Sequence, residues 1–63
     1  MGAIVEFTGS PPAYAFGHPV PPKHRGEIVG QYRDLIEVSV TGRQGESQII
    51  RALPDAVRVV QAI

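Results

Sequence analysis

The chain has 63 residues, six Lys/Arg against six Asp/Glu, and no cysteine. It has no net field to gather phosphate backbones or an anionic membrane, so neither nucleic acid nor membrane is expected as a partner. So short a chain makes one domain, residues 1–63, and buries only about 60% of the surface that its unfolded form exposes. Without cysteine it lacks disulfides and thiolate zinc sites, which leaves self-association as the remedy for a small core.

In chain order, "AIVEF" (Ala3 to Phe7) is a β-rich run that reads as a short first strand, with Ile4 on one side and Val5 and Phe7 on the other. Pro11, Pro12, Pro19, Pro21 and Pro22 come next. Each lacks the N–H that a helix or an inner strand needs, so residues 9–25 are expected to be mostly loop. "GEIVGQY" (Gly26 to Tyr32) is a second strand, and Gly30 within it predicts a bend, a bulge or a close backbone approach. "LIEVSVT" alternates strictly, with Ile36, Val38 and Val40 on one face and Glu37, Ser39 and Thr41 on the other.

"GRQG" (Gly42 to Gly45) supplies turn chemistry, so this strand and "ESQIIR" form an antiparallel hairpin with a loop of about four residues. On the second arm Gln48 and Ile50 project to one side with Glu46, and Ser47, Ile49 and Arg51 to the other. In the tail, Pro54 and Asp55 suit the start of a helix, whereas Val57, Val59 and Val60 favour a strand. One turn over Leu53 to Ala56 and then a last strand is the expected course. Five short strands with close turns describe an all-β fold, a small antiparallel barrel with a proline-rich loop.

Three stretches in this order, "FGHPV" (Phe16 to Val20), "GEIVGQY" and "IEVSVTGRQGESQII" (Ile36 to Ile50), resemble the type II dihydrofolate reductases, the plasmid-borne, trimethoprim-insensitive enzymes. That family has an SH3-like barrel, a glycine-flanked "GQIVGWY" strand and a late hairpin carrying "VQIY" after a turn glycine. Gly45 stands at the glycine position, and Ser47, Gln48, Ile49 and Ile50 fall on the four motif positions without a gap. The resemblance implies a homotetramer around one pore that binds both NADPH and dihydrofolate. It makes Gln48 the pore amide and catalytic position, Ile49 the backbone clamp for the nicotinamide carboxamide, and Ser47 and Ile50 its ligand-lining neighbours. Lys23 is the nearest counterpart of the lysine that attracts the anionic tails, although it lies closer to Gly26 than the family spacing places it. Ile50 replaces the motif tyrosine, and His24 stands where the family has a tryptophan. No side chain is a clear general acid in this scheme; proximity of the two ring systems accounts for much of the rate.

Plainer readings stand beside these. Gln48 also suits a solvated position on the polar face of an edge hairpin, and Lys23 and Arg25 suit solvating charges in a loop. His18 and His24 have no cysteine or paired carboxylate at ligand spacing, so no metal is expected. "PPAY" (Pro11 to Tyr14) matches a short polyproline signal. A non-catalytic SH3-like interaction module with its groove near Tyr14 and Tyr32 is therefore the alternative, and a pore-forming relative that binds a nucleotide-like ligand without reducing anything is a third. No apolar run reaches the roughly 20 residues of a membrane span, and no leader-like segment of some 7–15 apolar residues comes after a basic start, so the expected compartment is the cytoplasm.

Overall fold

The computed structural model describes residues 2–62. Seven strands form among these residues: β1 (Ile4–Phe7), β2 (Tyr14–Ala15), β3 (His18–Pro19), β4 (Arg25–Tyr32), β5 (Leu35–Thr41), β6 (Ser47–Ala52) and β7 (Val57–Gln61), with a 3₁₀ turn over Pro54–Ala56 before the last. Five of them make one antiparallel sheet in the order β6-β5-β4-β1-β7, and β2 and β3 pair separately as a small hairpin. The chain is thus mostly β, with an antiparallel sheet. No helix among the described residues is long and apolar enough to cross a membrane.

The alternation of "LIEVSVT" produces the core directly. Val38 and Val40 are fully buried on one face of β5, and they meet Val5 and Phe7 from β1 and Ile50 and Ala52 from β6. A period of two in the sequence becomes one dry face and one wet face. No polar or charged side chain among the described residues is buried, so this core asks for no internal hydrogen bonds from side chains.

The bend expected at Gly30 is a register shift between Ile28 and Gly30, which leaves Val29 as the extra residue, half exposed. Such a bulge turns the strand and re-aims the residues beyond it. Tyr32 and Leu35 then pair across a two-residue turn of Arg33 and Asp34. The tail takes its expected course: Pro54 begins the 3₁₀ turn, where its missing N–H costs nothing, and Ala56 packs into the core before β7 pairs with β1.

The proline-rich segment is more ordered than its composition implies. Tyr14 pairs with Pro19 and Ala15 with His18, and the tip residues Phe16 and Gly17 both have positive φ, 55° and 79°. That is the signature of a type I′ turn, whose twist matches that of the flanking strands. Proline is tolerated in β3 because this ladder has only two strands and Pro19 ends one of them. Ala13, Ala15 and Val20 are buried, so the hairpin forms part of the core cluster rather than hanging free.

Candidate functional site

The turn between β5 and β6 decides how β6 presents itself. The Gly42 N–H donates to the Glu46 carbonyl at 2.7 Å and the Gly45 N–H to the Gly42 carbonyl at 3.2 Å, while Gly45 sits at φ 83°. This is a three-residue loop of Arg43, Gln44 and Gly45, a type I turn closed by a left-handed glycine. Because Gly42 and Glu46 form a hydrogen-bonded pair, alternation makes Val40 with Gln48 and Val38 with Ile50 hydrogen-bonded pairs as well. Thr41 with Ser47, Ser39 with Ile49 and Glu37 with Arg51 are then the non-bonded pairs.

The backbone N–H and C=O of Ser47, Ile49 and Arg51 therefore point away from β5. β6 is the last strand in the sheet order, so on that side nothing in the sheet meets them. An extended residue projects its N–H and C=O to the same side, and Ile49 thus offers one donor and one acceptor in parallel at an open edge. Its side chain lies on the outer face and is 64% exposed.

Gln48 lies on the core side of β6 but near its start, where the sheet opens. Its Oε1 accepts a hydrogen bond from the Phe16 N–H at 2.8 Å. An N–H can only donate, so the amide oxygen must face Phe16 and the Nε2 donors are left toward solvent. This contact joins residues 32 apart in the chain and supports Phe16 in its left-handed conformation. Ile50, two residues on, is 8% exposed and belongs to the core. Its side chain packs in the interior and not beside Gln48's solvent-facing amide.

Lys23 is exposed, also with positive φ (71°), and its N–H donates to the Phe7 carbonyl at 2.7 Å. It precedes β4 by two residues. Gly26, Val40 and Gln48 form one cross-strand row, so Lys23 and Gln48 belong to the same end of the sheet. Neighbouring strands are about 4.8 Å apart, which puts Gly26 and Gln48 roughly 10 Å from each other across that row. Glu46 curls back onto its own turn, where a carboxylate oxygen accepts the Gln44 N–H at 2.9 Å. His18 and His24 border the same end, and no group of three or more metal-ligating side chains forms among the described residues.

The outer face of β4, β5 and β6 carries a second cluster. The Arg51 guanidinium lies 3.8 Å from the centroid of the Tyr32 ring and its Nε is 3.3 Å from Glu37. Tyr14, on the hairpin, is 62% exposed and stands apart from this cluster in the chain. Sequence reasoning missed the role of Phe16 as the partner of Gln48, because Phe16-Gly17 is not one of the Asn-Gly, Asp-Gly or Gly-Gly pairs that mark a two-residue hairpin turn.

Comparison of the chain with protein-family models, with curated proteins and with solved structures returns no match.

Proposed function

We propose that the chain is an SH3-like barrel that assembles as a homotetramer and acts in the cytoplasm as a type II-like dihydrofolate reductase. The observation that carries this reading is the open edge at Ile49. A carboxamide presents a carbonyl and an N–H side by side, and Ile49 offers the complementary N–H and C=O on the unpaired side of β6. Had the turn been one residue longer or shorter, these groups would have been used up in the ladder.

Three further features support it. The order β6-β5-β4-β1-β7, with a long excursion between β1 and β4 and a 3₁₀ turn before the last strand, is compatible with an SH3-like barrel. Gln48 keeps its Nε2 donors outward, as an amide shared between ligands and symmetry mates requires. Lys23 and Arg43 supply positive charge at the same end for the anionic tails of cofactor and folate, while Arg25 is paired with Glu6 and Glu46 is drawn back onto its turn. NADPH would supply the hydride; Ile49 would hold its carboxamide and Gln48 would meet the two ring systems. With no buried acid among the described residues, positioning of the two rings carries the rate.

The test is oxidation of NADPH by dihydrofolate in the presence of trimethoprim, monitored by absorbance, together with sedimentation velocity. Turnover by a tetramer is expected. Background rates, or a monomer at assay concentration, overturn the reading.

One observation favours the non-catalytic alternative, an interaction module: the outer face exposes Tyr32, Ile49 and Leu53 around the Arg51–Glu37 pair. A peptide partner that shifts Tyr14 and Tyr32 in an amide spectrum while leaving Gln48 untouched would select it. NADPH binding without turnover would instead select the nucleotide-binding relative.

A further inference from the structure

A cleft of about 520 Å³ lies between the β2–β3 hairpin and the β5–β6 turn. Small-molecule sites span roughly 300–1,000 Å³, so it has room for a compact ligand. Its floor is apolar, made by Ala15, Val20 and Val40, all buried, with Phe16 as a wall. The Phe16–Gln48 hydrogen bond pins the hairpin against β6, so the cleft is formed before any ligand arrives.

The rim carries one guanidinium, Arg43, and one carboxylate, Glu46. Arg43 borders the cleft, and among the described residues it pairs with no carboxylate: Arg25 and Arg58 use Glu6, and Arg51 uses Glu37. Glu46, the carboxylate nearest in sequence, is engaged by the Gln44 N–H. A guanidinium with a free fork matches a carboxylate in two-point contact. Glu46 still carries its charge at the rim and would oppose a phosphate dianion more than a monoanion, and a phosphate would leave the apolar floor uncovered.

We propose that this cleft binds a monocarboxylate carried on an apolar body, the acid on Arg43 and the body over Val20 and Val40. The acid can come from a free aromatic or branched-chain acid or from the C-terminus of a peptide ending in an apolar residue. The site is complete within one chain and does not depend on the tetramer or on the Ile49 edge, so failure of the reductase assay leaves it standing.

Amide spectra of the full chain distinguish the outcomes. Phenylacetate and N-acetyl-Gly-Phe are titrated separately, each beside its neutral amide. Saturable shifts confined to residues 15–20 and 41–46 are expected with at least one of the acids, and whichever acid binds more tightly identifies the source. Arg43→Gln, in an exposed turn, should keep the dispersed spectrum of the fold and weaken binding about tenfold, the loss of a charge-assisted hydrogen bond. The proposal is overturned if both acids fail to saturate by about 10 mM, where a site of about 1 mM affinity would be filled. Equal binding of acid and amide, or undiminished binding by Arg43→Gln, overturns it as well.

Discussion

Proline substitution along β6 tests the direction of each backbone N–H. Gln48 and Ile49 are adjacent and both exposed, yet the ladder geometry makes them opposites: the Gln48 N–H bonds to the Val40 carbonyl, whereas the Ile49 N–H faces the open edge. Ile49→Pro therefore removes no ladder bond. Ile49 is 64% exposed, so its lost burial is about a third of the roughly 1.5–3 kcal/mol that a fully buried side chain contributes, and reduced unfolded-state entropy offsets some of it. A net loss of about 0.5 kcal/mol lowers Tm by about 2–4 °C in a domain of this size. Gln48→Pro removes a ladder bond, leaves the carbonyl of the buried Val40 unpaired and withdraws the acceptor from Phe16. That amounts to about 3 kcal/mol or more, a large part of the stability of so small a domain. Thermal unfolding monitored by circular dichroism should find Ile49→Pro folded, with Gln48→Pro largely unfolded or melting far lower. Equal damage from the two, or the reverse order, refutes the register argument and with it the carboxamide clamp. If the reductase reading holds, Ile49→Pro also weakens NADPH binding about tenfold while the far-ultraviolet spectrum is kept.

Gln48→Leu keeps the strand but deprives the Phe16 N–H of its acceptor; amide exchange at Phe16 should accelerate, with a stability loss of about 1 kcal/mol because the site is exposed. Gly26→Ala forces a Cβ to within 2.6 Å of Val38 Cγ1 and 2.9 Å of the Ser39 carbonyl oxygen, and denaturant unfolding should show a loss of about 1–3 kcal/mol. Ile50→Tyr, the change that restores the motif tyrosine, adds volume to a position 8% exposed; about 1–3 kcal/mol of destabilisation is expected, and gained reductase turnover would show that the missing hydroxyl was the deficit.

Much of the sheet was legible because β5 writes its two faces in plain alternation and because Gly45 and Pro54 mark the turn and the last bend. The 3.6-residue pattern of a helix is missing, and the branched valines of the tail decided for a strand as β-propensity suggests. The hairpin of β2 and β3 escaped, since proline content argues against pairing while the pairing itself depends on a turn at Phe16 and Gly17 that only the left-handed geometry reveals. The candidate site divides the same way. The side of β6 on which Gln48 lies comes from counting by two. Its bond to Phe16 does not, because it joins distant residues, and the outward direction of the Ile49 amide hangs on whether the Gly42–Glu46 pair is hydrogen-bonded. The burial of Ile50 was implicit in the same parity, but motif comparison drew attention to its identity instead of its surroundings.

The place of β1 in the sheet has its own consequence. It lies between β4 and β7, with Ile4 opposite Gln61 and Val5 opposite Val59, and Glu6 is bridged to Arg25 on one side and Arg58 on the other. β1 is synthesised before both of its partners and has to wait for β7 before it is held on both sides. The hairpins of β4, β5 and β6 can form while synthesis continues, but β1 and its apolar face stay only half partnered until residues 57–61 arrive. Long-range closure of this kind slows folding, and it makes the final strand the clasp of the sheet: a chain cut before Val57 would expose β1 as a raw edge and be prone to pair with another copy of itself.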